Sequence, residues 1–495
     1  MANQLTQRKL FMTVIVDTAT DLTLDTLERV TRGGEDCELS PAAIVRIDER
    51  RAQFLRYVDA HSDKHLYGIT TKHHVGAKSV LGEDSRAEFA TRLPSTPATG
   101  GPALPDHLVR AIILARLTDV LNGTACLRSE TATRLLGLLR HPQLPPVPSR
   151  GNGEPGDIVP LGHLLRAEFN GTLQLGEGMA LINGSPVATA ALVDAVLDSK
   201  QRIIAVEQVM ALAALAIRAP AAHYAQELEV LWRDEHQATT LSNFRRLVEH
   251  DAHSEELPYQ APVSFRSAPR VVGWSRRTLA AAEECAEIAL AASSNNPVFV
   301  GPGTVPPLGA ILSNGGYHNA LVAPTLDSLA RSWADISQLV TAQVNRLVED
   351  PTGLAATEPE SQVGLFYMTS AGWAEESRAA ATPSLIGIGG AGQTDTGTPD
   401  LLAWRKAQEA GTALDNNLSL LAVVAAHTLA RTDRPVAPAS VQTYRAILDR
   451  FPVGTDPIDF AVRLQSITDA LTTQLIKTDQ DLTEPNTTRT VEPSH

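Results

Sequence analysis

Gly151-Asn152-Gly153-Glu154-Pro155-Gly156-Asp157-Ile158-Val159-Pro160-Leu161-Gly162-His163 lies between a proline-rich run and an apolar stretch, and its reading decides the fold. The first six residues satisfy G-x-G-x-x-G, but a dinucleotide fingerprint must follow a strand and open a crossover helix. Pro142, Pro145, Pro146 and Pro148 stand just upstream, so no strand is expected there and dinucleotide binding is disfavoured. The stretch reads instead as a tight loop that enters the Asp157–Leu165 segment. If that segment opens as a helix, its first N–H groups are available to an anion. Glu154 is then either a general acid/base held in the loop or a loop residue that faces solvent.

Outward from this loop the chain reads as mainly α. A short apolar run, Leu10 to Val16, predicts a strand, and Thr23 an N-cap for the helix that follows. A second helix is expected after Ser40-Pro41, with Ile44, Ile47, Phe54 and Leu55 on its apolar positions. Residues 61–101 are polar, rich in Gly, Pro and Thr, and aperiodic, as functional loops are. Helical patterns then cover 108–121, 130–139, 188–218, 276–292, 319–348, 364–381, 401–431, 438–450 and 460–476. The expected organisation is a mixed N-terminal region over 1–105, a central helical bundle over 106–435, C-terminal helices over 436–476 and a polar tail over 477–495.

The 495-residue chain is 43% hydrophobic but only 4% aromatic, which suits closely packed helices of Ala, Leu, Val and Ile. Its net charge of −14 argues against nucleic acid or an anionic membrane as partner. Cys37, Cys126 and Cys285 form no metal or redox spacing, and this odd, low count fits a reducing compartment. The start does not resemble a signal peptide, and the most apolar stretch, Val209 to Ile217, is too short to span a bilayer. A cytoplasmic protein is expected. His61, His65, His73 and His74 lack any supporting Cys or carboxylate pattern, so solvated loop histidines are expected and no metal. His250 and His253 lie in a polar run that reads as a solvated loop.

Six motifs, in order and at compatible spacing, resemble the histidine and phenylalanine ammonia-lyase family over about 22–435. Leu161-Gly162-His163 and the loop before it resemble G-A-S-G-D-L-A-P-L-A-H, and Tyr67-Gly68-Ile69-Thr70-Thr71 resembles Y-G-I-N-T. Glu177 to Gly184 is similar to E-G-L-A-L-L-N-G, and Gln260-Ala261-Pro262-Val263-Ser264-Phe265-Arg266 to Q-D-P-Y-S-L-R. Ser294-Asn295-Asn296-Pro297 and Asn314-Gly315-Gly316-Tyr317-His318 look like S-D-N-P and G-G-N-F-H. The resemblance implies a long-helix bundle assembled as a homotetramer. It also implies Tyr67 as acid/base, Asn183 and Gln260 as substrate-orienting amides, and Arg266 as the grip on a carboxylate.

The departures bear on the chemistry. In the family an Ala-Ser-Gly tripeptide cyclises to methylidene-imidazolone. Here the position reads Glu154-Pro155-Gly156, and proline has neither a hydroxyl to eliminate nor a backbone N–H. Lys72-His73-His74 replaces G-F-G, Thr96 falls at a family histidine, Val263 at a tyrosine, and Thr394 at a glutamate.

The resemblance therefore implies an enzyme without that prosthetic group or any other cofactor. Its reaction is elimination, conjugate addition or cyclisation on an activated small molecule with an anionic or polar group. Tyr67, Glu154 and Tyr317 are the expected catalytic groups, and Arg266, Asn183, Gln260, Lys72, His73 and Thr96 the expected substrate contacts. Each has a plainer reading: Tyr67 and Arg266 as a structural contact, and Asn183 and Gln260 as amides that satisfy backbone groups. The alternative for the whole chain is a catalytically inactive homologue that binds a small molecule or a protein.

Overall fold

The computed structural model describes residues 13–72, 78–95, 97–249, 257, 259–353, 362–388, 394–432 and 434–473. His73, His74, Thr96, His250, His253, Gln393 and the 477–495 tail lie outside the described residues. The described chain is mostly helical, as expected. Contacts divide it into two units, the first Met1–Leu197 with Ala281–Asp327 and Pro383–Arg405, the second Asp198–Ala280 with Ser328–Thr382 and Lys406–His495.

The first unit opens with β1 (Thr13–Val16), α1 (Leu24–Thr31) and β2 (Asp36–Leu39). The strands pair in parallel, Val14 opposite Cys37, with α1 as their crossover. Thr23 caps α1 by accepting from the Thr26 N–H at 3.2 Å, as its sequence position predicts. Ser40 does the same for α2 (Pro41–Ala60), accepting from Ala43 N–H at 2.9 Å with Pro41 at the first helical position. Within the expected loop region a short helix, α3 (Glu83–Ala90), forms on the solvated surface with none of its residues buried. That absence of an apolar face is why no periodicity marks it.

β3 (Gly100–Ala103) is followed by α4 (Asp106–Leu121), α5 (Ser129–Gly137) and β4 (Pro148–Arg150). The expectation that no strand precedes the glycine-rich loop is wrong: β4 pairs antiparallel with β3. Pro148 is tolerated because it takes the first position of a two-stranded ribbon, where no neighbouring strand needs its missing donor. An antiparallel ribbon is not a parallel βαβ unit, so the dinucleotide reading still fails.

α6 (Ile158–Phe169), α7 (Glu177–Ile182) and α8 (Pro186–Ala216) follow. α4 is buried almost all round, and its Arg116 and Asp119 form a fully buried ion pair. Asp119 also accepts from Ser294 N–H at 2.7 Å and from Asn295 N–H at 3.2 Å, which ties the Ser294-Asn295-Asn296-Pro297 motif to the core. Such extra donors are what make a buried ion pair tolerable. β5 (Val298–Val300) and β6 (Ala310–Leu312) form a small hairpin beyond this motif.

The second unit is built on long helices whose seams are small and polar. Arg202 grips Asp415 with two hydrogen bonds of 2.8 and 2.9 Å, and its guanidinium lies 5.4 Å from the Trp333 ring centre. Asn417 donates to Ser337 Oγ at 2.9 Å and accepts from Ser370 Oγ at 2.5 Å, which joins α13 (Val322–Glu349), the Phe366–Ala380 helix and the Asp400–Thr432 helix. This unit also holds α9 (Glu227–Trp232), α10 (Glu235–Val248) and α11 (Val263–Arg266). α12 (Ala268–Ala291) begins in it. The span Glu177–Ala216, which holds α7 and α8 and passes from the first unit into the second, is long and apolar enough to cross a membrane by composition, but its apolar window is wholly buried.

Candidate active site

The glycine-rich loop and α6 form one wall of a cavity of about 1090 Å³ within the first unit. Ligand sites are typically concave, with volumes of roughly 300–1,000 Å³. Ile158, Arg166 and Asn170 line it from one stripe of α6, spaced eight and four residues apart. Tyr67 and Lys72 enter from the loop after α2, Phe89 from the last turn of α3, Arg92 to Ser95 from the irregular segment after it, and Thr394 from a late part of the chain.

Local bonds hold these walls. Ser95 Oγ donates to the Ile158 carbonyl at 2.9 Å, Arg166 Nη1 donates to the Ser95 carbonyl at 2.8 Å, and Leu93 N–H donates to Asn170 Oδ1 at 3.2 Å. Gly162 permits this close approach, because a Cβ there would collide with Ser95 Oγ. Gly397 plays the same part on the other side, where a Cβ would overlap the Gly153 carbonyl oxygen. Thr398 N–H donates to the Glu154 carbonyl at 3.1 Å, and this brings Thr394 to the cavity.

Glu154 is half-buried and folds its carboxylate back on its own loop. It accepts from Gly153 N–H at 2.9 Å and from Val159 N–H at 3.2 Å. The expectation that the α6 N-terminus presents free N–H groups to an anion is thereby corrected: the chain's own carboxylate takes the donor, and Pro160 removes another. Burial pushes the Glu154 carboxyl above its usual range, against the pull of those amides.

Two carboxylates behind the loop escaped sequence reasoning. Asp157 flanks α6 but caps α8 instead, its Oδ2 accepting from Val187 N–H at 2.6 Å and Ala188 N–H at 3.2 Å. Burial pushes it well above the carboxylate range, and repulsion from Asp400 and Glu154 adds to this. Burial raises Asp400 to about 7. The available signal was weak: Asp400 opens an apolar helix, and nothing local distinguishes it from an ordinary first-turn acid.

The expected site residues fall into groups. Tyr67, Lys72 and Glu154 line the cavity together. Asn183 and Tyr317 flank the opposite side of the loop. Gly156 sits against Tyr317 and the Gly184 carbonyl, and the Asn183 carbonyl accepts from Arg116 Nη1 at 3.0 Å. Gln260 and Arg266 belong to the second unit, Gln260 exposed and Arg266 at the end of α11 with a buried Nε that has no hydrogen-bond partner among the described residues. Among the described residues no cluster of three or more His, Cys, Asp or Glu is placed to hold a metal.

This helical scaffold, with its loop-built cavity, has the fold of the ammonia-lyases and aminomutases. Tyrosine aminomutase from Streptomyces globisporus superposes with a TM-score of 0.81 at 22% identity, covering 93% of this chain and 97% of that one. Ergothionase from Treponema denticola gives a TM-score of 0.82 at 16% identity, covering 96% and 100%. The model for the aromatic amino acid lyase family matches residues 22–168 and 168–449, and the chain belongs to that family. Histidine ammonia-lyase of Caldanaerobacter subterraneus subsp. tengcongensis is 26% identical over 447 residues, 83% of this chain and 86% of that one.

Proposed function

We propose that this family member is a lyase- or cyclase-type enzyme that works without methylidene-imidazolone. It would act by acid/base elimination or conjugate addition on a small molecule already activated by a carbonyl or thioester. The observation that carries this reading is that Tyr67, Lys72 and Glu154 share one open cavity. An inactive homologue with a degenerate site would be expected to have filled it with side chains.

The residues at 154–156 do not fit the prosthetic group. Pro155 has no hydroxyl to lose, its nitrogen is already tertiary, and the Glu154 carboxylate occupies the amides on either side. Side chains then carry the reaction. Tyr67, as phenolate, takes the proton from carbon beside the substrate carbonyl. The freed electron pair forms the double bond as the bond to the β-leaving group breaks, and Glu154, whose burial favours its protonated form, gives that group its proton. Lys72, on the wall of the same cavity, would offset the negative charge that the substrate carries there. Asn183 and Gln260 would orient the substrate, Tyr317 would supply a second acid, and His73 and Thr96 would line the site. Arg266 would hold a carboxylate, in keeping with its unpartnered Nε. The enzyme would act as a homotetramer, as the family resemblance implies, and in the cytoplasm, as the low cysteine count suggests.

Intact-protein mass tests the first half. The sequence value is expected, and a loss of two waters with the ultraviolet absorbance of the cyclised group would overturn it. Turnover tests the second half, on a panel of β-substituted carboxylic acids and thioesters. Wild type is expected to eliminate from at least one, and Tyr67→Phe to leave binding intact while abolishing the reaction.

A further inference from the structure

Arg166 is a cation without a carboxylate. Its Nη1 is satisfied by the Ser95 carbonyl, and among the described residues no acidic side chain pairs with it, although the chain as a whole carries −14. Its backbone stands two helical turns beyond Val159 on the face of α6 that lines the cavity, about 10 Å at 1.5 Å per residue, and its guanidinium reaches back to the Ser95 carbonyl. Arg92 lines the same end, because the Leu93 and Gly171 amides bond Asn170 Oδ1 and the Thr91 carbonyl at 3.2 and 2.7 Å. Arg92 carries an exposed ion pair with Glu88, a contact solvent screens. Two arginines and the Asn170 amide therefore line the same cavity as Glu154. The cavity is also far larger than a single amino acid needs.

We infer that Arg166 and Arg92 form a second anion subsite, and that the substrate carries a carboxylate, phosphate or sulfonate apart from its reacting carbon. This rests on the Glu154 end being the reactive one. It adds an anchor separate from Arg266, and it sets specificity by charge: a substrate without this second anionic group loses the pairing.

Calorimetric titration of the full-length chain with 6-phenylhexanoate and with its neutral primary amide tests the subsite apart from the chemistry. Wild type is expected to prefer the carboxylate about tenfold, the scale of one charge-assisted pair. Arg166→Gln should erase that preference while amide binding persists, Arg166→Glu should reverse it, and Arg166→Lys should keep part of it. Arg166 is exposed, so these variants should fold, and unchanged melting confirms it. A preference untouched in Arg166→Gln but lost in Arg266→Leu would overturn the second subsite and leave the proposed reaction standing. No preference in wild type would overturn it as well. Loss of turnover in Tyr67→Phe with the Arg166 preference intact bears on the reaction alone.

Discussion

At the scale of single residues, the site is governed by carboxyl groups that burial holds toward the neutral form. Glu154 suits the role of acid for that reason: a carboxyl donates a proton at neutral pH only if its environment disfavours the anion. Glu154→Gln keeps the shape and removes the proton. Turnover is expected to fall by ~10²–10⁴-fold, the range for one general acid, with little change in substrate binding. Asp400 makes a separate statement, about stability. Its carboxyl moves from an ordinary 3.8 to about 7 in the folded chain. Between those values the folded state binds more protons than the unfolded one, so stability falls as pH rises through the window. Asp400→Asn is expected to flatten that fall and to raise the melting temperature at pH 8 by several degrees, with little effect near pH 4. Thermal melts across pH 4–8 check it. Glu154 was legible through its place in the loop motif, but the shifts were not, because burial is their main cause and no local pattern announces it.

Elements were legible where a single face is buried. The long helices declare themselves through apolar residues at helical spacing, and Ser40-Pro41 and Thr23 mark their starts with side-chain oxygens. α10 was missed because Thr, Asn and Arg interrupt its short buried stripe of Leu241, Phe244, Leu247 and Val248. β4 was missed because four prolines argued against a strand that needs only one partner. Of the motif residues, Tyr67, Lys72 and Glu154 line one cavity, but its walls depend on contacts without periodicity. Gly397 against the Gly153 carbonyl is the clearest of these. Gly397→Ala is expected to displace the 153–154 loop, since backbone oxygen cannot rotate away as a side chain can. The measurable result is a loss of 6-phenylhexanoate binding with only a modest drop in melting temperature. Unchanged binding would mean that the loop and the Thr396–Gly397 strand move independently. Arg202 and Asp415 make the comparable bond in the second unit, where Asp415→Ala removes the carboxylate that takes two hydrogen bonds from a buried guanidinium and should cost about 3–5 kcal/mol in denaturant unfolding.

The whole molecule raises the question of what covers its apolar surface. Trp274 and Val263 are 53% and 64% exposed, Tyr367 and Met368 41% and 56%, and Ile458 and Val462 85% and 75%. All six belong to the second unit, whose interior is otherwise closed by Leu, Ala and Val with almost no exposure. Apolar residues scattered singly need no explanation, but pairs repeated along several helices point to surfaces that a second copy buries. The family resemblance implies four copies, and a chain of 52.9 kDa should then scatter light as a particle four times heavier. Trp274→Glu and Met368→Glu place a charge where burial would desolvate it, so either is expected to shift the population toward smaller species without altering helical content. Light scattering at micromolar concentration, with circular dichroism on the same samples, decides the point. A wild-type monomer would remove the assembly. It would also confine catalysis to groups one chain can supply, leaving Tyr67, Lys72 and Glu154 of the first unit to act without a partner's residues.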